Sequence, residues 1–419
     1  MIKKVIAFIG RREMLKNMAV LTGGTAIAQL ISFAASPVLS RLFTEKQYGE
    51  YGIFTSIVSY LVVISCLRLE QAIVLPKEDD EARSIAQWSI KLNSIVSTLA
   101  LLFSLSGILL FHFPPFLILL GPTVFFMGLI NTFNYYSNRQ KTYRLNSQSR
   151  IITSLFIAFV SVILGYLNYG SIGLIIGMFA GQVLGGAYLF KTLYREVYKS
   201  KQNLSWKELK KKYKQFIFIN TPNALFDLTE SAGVVILLGL FFDKSYVGAY
   251  FFAFRILKMP LSLLGTSIFQ VFYKESSVLY ADGKAIFPLF KKLMTQLSFL
   301  SFPFFLLLFI YGQELFVIVF GPEWIKAGEY AVLFAPWFWL NFIASTISCV
   351  PIIVNKQDVA FIVSVVNTSI RVLIILITGI YFTFEILIYS LAIIQPIIML
   401  FNNSWYFYLA KKYGSKKIV

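Results

Sequence analysis

Apolar residues run along this chain in long blocks, each ended by a short polar stretch. A helix that crosses a bilayer needs about 20 mostly apolar residues. Twelve blocks meet that length: 17–39, 47–67, 85–111, 115–137, 151–167, 172–193, 216–241, 246–272, 293–310, 330–354, 359–380 and 384–408. Polar residues inside them are sparse. The pattern is neither the one-sided stripe of a soluble helix nor the alternation of a half-buried strand. It predicts an all-α polytopic membrane protein with twelve transmembrane helices. Basic residues precede the first block at 1–16, but no small-residue cleavage site follows, so that block is expected to be retained.

Composition sharpens this. Of 419 residues, 57% are hydrophobic and 14% charged, 42 are Phe, and the mean hydropathy is +0.71. Soluble domains carry about 25% charged residues. A soluble enzyme, a disordered chain and a disulfide scaffold are excluded. The 38 Lys and Arg against 20 Asp and Glu give a net charge of +18, which in a soluble chain would suggest nucleic acid. Here the cations sort by loop. One side takes residues 3–16, Arg68, Lys77 and Arg83, then Arg139, Lys141, Arg144 and Arg150, and then the run from Lys191 to Lys214. It also takes Lys274, Lys284, Lys291, Lys292, Lys356 and the cations from Lys411 to Lys417. The other side holds only Arg41, Lys46, Lys244 and Lys326. This asymmetry predicts both termini in the cytoplasm, and no nucleic-acid partner is expected.

The basic stretch after the sixth block divides the chain into an N-lobe, 1–213, and a C-lobe, 214–419, of six spans each. The halves share a weak repeat. Phe43, Gly49 and Tyr51 recur as Phe242, Gly248 and Tyr250, each 199 positions later, as does Gln71 in Gln270. Asn138-Arg139-Gln140 is mirrored by Asn355-Lys356-Gln357. Both halves start on the same side, so the repeat is parallel, and transporters of that kind bind substrate where the repeats meet.

Ionisable residues deep in a span are costly and mark function. Arg255 and Lys258 lie three apart before Pro260, and Asp227 and Glu230 three apart after Pro222. Arg371 lies near the middle of the eleventh block, Arg41 ends the first, and Arg68 with Glu70 ends the second. Lys91 can snorkel. Two readings of the acids and cations stay open. They pair to fix helix packing, or the cations hold an anion in a cavity while Asp227 and Glu230 carry a coupling ion. Arg suits phosphate because its planar fork binds two oxygens. Gln29, Asn131 and Asn223 can hydrogen-bond sugar hydroxyls or bridge helices, and Ser32, Asn134 and Asn220 belong to the same group. Tyr48, Tyr51, Tyr246 and Tyr250 read as interfacial anchors. The acids 78–81 read as a solvated run opening a helix. With one histidine, His112, and two cysteines, Cys66 and Cys349, in apolar surroundings, no catalytic residue, metal ligand or cofactor is expected.

Leu39-Ser40-Arg41-Leu42-Phe43 with Tyr48-Gly49-Glu50-Tyr51 resembles the end of the first span in oligosaccharide flippases. The stretch from Arg68 to Lys77, RLEQAIVLPK, and Gly321-Pro322-Glu323-Trp324 with Ala327 resemble their later loops. The chain therefore resembles Wzx-type O-antigen flippases, in the polysaccharide-transport branch of the multidrug/oligosaccharidyl-lipid/polysaccharide exporter superfamily. That resemblance implies a V-shaped exporter of two six-helix lobes in the bacterial cytoplasmic (inner) membrane. It implies alternating access that moves an undecaprenyl-diphosphate-linked oligosaccharide, an O-antigen or capsule repeat unit, from the inner to the outer leaflet. It also implies a cationic cavity for the headgroup, with Arg41, Arg255, Lys258 and Arg371 as the positions that could fill this role. Membrane lipid, a polysaccharide polymerase and chain-length proteins are the implied partners, with a proton or sodium ion for coupling. The alternatives are a multidrug cation antiporter of the same superfamily, which needs an acidic cavity, and a membrane glycosyltransferase, polymerase or ligase, which needs a large outer loop.

Overall fold

A computed structural model describes residues 2–200 and 204–414, with side chains except at 2–21, 260 and 263. The cations at 3–16, and Lys201, Lys416 and Lys417, all assigned above to the basic face, lie outside the described side chains. The apolar blocks fold as helices because lipid offers the backbone no hydrogen-bond partner. Among the described residues eleven helices are long and apolar enough to span: Thr22–Leu42, Glu45–Cys66, Asp79–Phe111, Pro115–Arg139, Tyr143–Tyr166, Ser171–Val197, Phe216–Phe241, Phe287–Phe320, Pro322–Ile353, Gln357–Tyr381 and Phe384–Tyr413. A bent pair, Lys244–Met259 and Leu264–Ala281, makes the twelfth with a 46° bend beside Pro260. They are numbered here as spans one to twelve in chain order, the bent pair being span eight.

Packing divides the chain into two compact units, Met1–Phe43 with Glu50–Ile236 and Thr44–Gly49 with Leu237–Val419. The seam therefore falls inside span seven and not at the basic stretch that ends near 213. Ile217, early in span seven, shares a core with Leu69, Ile73, Ile85 and Phe133. Further along, the Tyr60 hydroxyl donates to Thr229 Oγ1 at 3.1 Å.

In the first unit small residues let helices approach where lipid supplies no hydrophobic drive. Gly177, Gly181 and Gly185 of span six face Ser161, Ile157 and Thr153 of span five, and Gly24 of span one faces Ser147. The acids opening span three are paired rather than simply solvated. Asp79 meets Arg139 at 2.9 Å, Asp80 meets Arg83 at 2.6 Å, and Glu81 accepts from the Tyr213 hydroxyl at 2.7 Å and pairs with Lys212. Gln87 Nε2 and Trp88 Nε1 donate to the carbonyls of Val197 and Leu204. The basic stretch after span six is thereby strapped to span three. The short helix Trp206–Lys212 within it opens on a capping box, in which Ser205 accepts from the Glu208 backbone and Glu208 returns the bond.

In the second unit Trp324, fully buried, lies 4.0 Å from the Phe252 ring centroid and 5.0 Å from that of Tyr48. Tyr48, Tyr51 and Tyr250 are buried in protein. They are packing residues, which corrects their assignment as interfacial anchors. The repeat has a direct structural expression here. A Cβ on Gly49 would collide with the Lys244 carbonyl, and a Cβ on Gly248 with the Glu45 carbonyl. These four positions form two pairs of repeat equivalents in reciprocal contact, as a duplicated element related by a two-fold axis would give.

Candidate functional site

In the first unit the polar positions gather on span seven. Its sequence folds as a π-turn, Phe216–Asn220, an α-segment, Thr221–Leu228, a second π-turn, Thr229–Gly233, and a final α-segment, Val234–Phe241. Single-turn π segments inside α-helices occur often at functional sites. Asn223, Asp227 and Glu230 recur at helical spacing and are all exposed. Carboxylates on an exposed face of an apolar helix are tolerated only beside water or a polar ligand. Arg68 lies within electrostatic reach of Asp227, which also feels Glu230.

Arg68 stands in an unusual backbone. Leu67 and Arg68 both adopt left-handed conformations, with φ of 50° and 57°, a strain that persists only where surroundings impose it. The reversal turns the next helix, Leu69–Ala72, inward and buries Glu70 at 3% exposure. Arg68 Nη1 is 3.8 Å from Glu70 Oε1, and Glu70 Oε2 has no hydrogen-bond partner among the described residues. Burial pushes the Glu70 carboxyl up to about 7, against the smaller pull of backbone N–H and of Arg68.

Arg41, at the end of span one, is exposed and donates from Nη1 to the Pro37 carbonyl at 2.8 Å. Gln29 and Asn131 are half-buried, on spans one and four. Asn134 and Asn138 bond with Asn146 of span five, bridging helices near the basic face. Arg150, read from sequence as a loop residue, instead lies two turns inside span five.

In the second unit span eight carries half-buried Arg255 and exposed Lys258, one turn apart, just before the bend. Beside Arg255, Phe254 packs among Tyr250, Phe334, Trp337 and Phe338, with centroids 4.4–5.5 Å away. Arg371 is buried at 6% exposure. Its Nη2 donates to Gln395 Oε1 at 2.7 Å, and its guanidinium lies 5.1 Å from the Trp337 ring centroid. The two units thus carry different chemistry: exposed acids and amides on span seven of one, and guanidinium, ammonium and aromatic groups in the other.

Residues 38–329 match the model of a family described as polysaccharide biosynthesis protein. The chain belongs to that polysaccharide biosynthesis protein family. A curated relative, an uncharacterized membrane protein in the cps region of Klebsiella pneumoniae, is 23% identical over 306 residues, 71% of this chain. The chain spans about 62% of that relative's length. Among solved structures, a lipid II flippase, MurJ, in an inward closed conformation superposes with a TM-score of 0.73 at 14% identity, covering 94% of this chain and 87% of that one. An inward-facing multidrug resistance MATE transporter of the MOP superfamily gives 0.59 at 12% identity, over 94% and 95%. A MOP superfamily transporter from Pyrococcus furiosus gives 0.57 at 13%, over 95% and 96%. The polysaccharide biosynthesis protein described here therefore has the all-helical exporter fold of that superfamily and is a multi-pass membrane protein. Several residues of the sequence signatures are packing residues. Phe43 fills the space beside Gly165 and Gly173, and Gly49 and Trp324 lock the second unit.

Proposed function

We propose that this protein is a flippase for a polyprenyl-diphosphate-linked oligosaccharide, moving it from the inner to the outer leaflet of the bacterial cytoplasmic membrane by alternating access, without covalent chemistry. The observation that carries this reading is the placement of ionisable groups within spans. Asp227 and Glu230 sit exposed on span seven, and Arg255 and Lys258 on span eight. The physical task is to take a diphosphate and several sugars past about 30 Å of hydrocarbon. Fixed cations offset the desolvation of the diphosphate. Amides such as Gln29, Asn131 and Asn223 replace water around the sugars. Arg255 and Lys258 in the second unit are cationic ligands for the headgroup, as is Arg41 in the first, and Asp227 and Glu230 in the first carry a coupling proton or sodium ion. A cationic drug as substrate is disfavoured by this set. The family's description as polysaccharide biosynthesis protein supports a glycan cargo.

The test is complementation. In a strain lacking the gene, Arg255→Ala with Lys258→Ala is expected to abolish surface polysaccharide at normal protein level. Undiminished polysaccharide would remove the cationic site from the reading, and export of a fluorescent cationic dye would replace the cargo.

A further inference from the structure

We propose that Arg150, with the Thr25 hydroxyl, is a phosphate-binding site inside the first unit that receives the headgroup of a phosphorylated lipid near the basic face. It rests on the flippase reading and adds to it a site that the cationic residues of the second unit do not supply.

The argument starts from depth. Span five begins at Tyr143, so Arg150 lies about 10 Å along the helix at 1.5 Å per residue. Thr25 is one turn into the apolar part of span one. The Arg150 guanidinium donates from Nη1 to Thr25 Oγ1, and this is its one hydrogen bond among the described residues. The side chain is half-buried. It does not point at the bilayer. Span five shows lipid Leu155, Phe156, Phe159, Ile163 and Tyr166, and at about 100° per residue Arg150 stands on the opposite side of the helix.

Among the described residues no carboxylate is placed to neutralise it. Spans one, four and six pack against span five. Span four has no Asp or Glu. The described side chains of span one include no Asp or Glu. Span six has Glu196 alone. It lies eleven residues beyond Gly185, whose carbonyl accepts from Ser149, or about 17 Å away. A guanidinium taken partly out of water without an anion is costly. Its remaining N–H groups form the planar fork that matches two phosphate oxygens. Thr25 Oγ1, by accepting from Nη1, fixes the orientation of that fork. Gln29, one turn further along span one on the same face, stands where the first sugar beyond a diphosphate would follow.

The test uses the full chain in nanodiscs, with binding of undecaprenyl diphosphate and of undecaprenol measured by thermophoresis. Wild type is expected to prefer the diphosphate. Arg150→Gln should weaken diphosphate binding at least tenfold, Thr25→Val several-fold, and neither should change undecaprenol binding. Arg150→Gln binding the diphosphate as wild type does would overturn the site. Competition by inorganic pyrophosphate would show that the anion alone suffices, and competition by phosphatidate that any lipid phosphate enters; both uphold it. If wild type binds phosphatidate through Arg150 but not undecaprenyl diphosphate, the site stands and the flippase reading falls. Should Arg150→Gln fail to fold, phenylglyoxal modification of wild type decides. Phosphate ligands should protect Arg150, and unprotected modification would overturn the proposal.

Discussion

Two buried ionisable side chains show how a polar group is kept inside this protein, and each gives a different expectation. Glu70 is held by a strained turn, with one oxygen near Arg68 and the other unpartnered among the described residues. Its carboxyl holds a proton up to about pH 7, while the unfolded chain releases it near 4.5. The folded state therefore binds more protons between those values. The stability this gives is complete below about pH 4.5 and is lost as pH rises through 7. Thermal melts of purified protein between pH 5 and 8 should fall with rising pH, and Glu70→Gln should flatten that slope. An unchanged slope would mean that Glu70 is ionised throughout. Arg371 is the contrasting case, engaged by Gln395 and stacked on Trp337. In this conformation it holds spans ten, eleven and twelve together. A hydrogen bond to a charged group is worth about 1.5–3 kcal/mol, so Gln395→Leu should lower the melting temperature. Arg371→Lys should do so as well, because an ammonium cannot reproduce the planar fork and the stacking. Melting temperatures equal to wild type would return Arg371 to the list of substrate ligands.

At the scale of elements, the reciprocal glycines carry the sharpest expectation. Ala is the better helix former by about 1 kcal/mol, so propensity alone predicts that Gly49→Ala or Gly248→Ala stabilises. The colliding atoms, however, are backbone carbonyls of the facing helix start, which cannot swing away as a side chain would. Overpacking of this kind costs about 1–3 kcal/mol. Each variant should show reduced yield and melting temperature, and the pair should be less than additive because both crowd one contact, which the first substitution already forces apart. A melting temperature at or above wild type would show that the helices separate freely. The same glycines show what was legible beforehand. Their repetition 199 positions apart is visible in the sequence, and so are the spans, since apolar block length is set by bilayer thickness. The π-turns of span seven were not legible, because Phe216–Asn220 and Thr229–Gly233 have no composition that separates them from α-helix. The packing seam after Ile236 was hidden for a related reason: it depends on which neighbours span seven meets, not on its hydropathy. Arg150 was misplaced because a basic residue near a span end looks the same whether it is in the loop or two turns inside. Among the candidate site residues, positions on the helices followed from the sequence, while exposure did not. Arg371 and Lys258 look alike in sequence, yet one is buried and the other exposed.

For the whole molecule, the cation asymmetry makes a commitment that labelling can check. If the basic face is cytoplasmic, Lys77 and Lys284 stand inside the cell and Pro114 and Thr383 outside, all four being exposed. The protein offers a quiet background for this experiment. Cys66 and Cys349, its two cysteines, are 1% and 0% exposed, so a bulky maleimide should leave the unaltered chain unlabelled. Single variants Pro114→Cys and Thr383→Cys should react with a membrane-impermeant maleimide in intact cells. Lys77→Cys and Lys284→Cys should react only after the membrane is opened. The positions come from opposite halves of the chain, so the four results test more than orientation. A parallel duplication requires the two outer positions to agree with each other and the two inner positions to agree likewise. Labelling of Pro114→Cys but not Thr383→Cys in intact cells would mean that the halves run in opposite senses. The cargo would then be sought in a fold with an inverted repeat. Agreement within each pair with the sides exchanged would keep the duplication but place the basic face outside, and Arg150 would then meet the outer leaflet instead of the inner one.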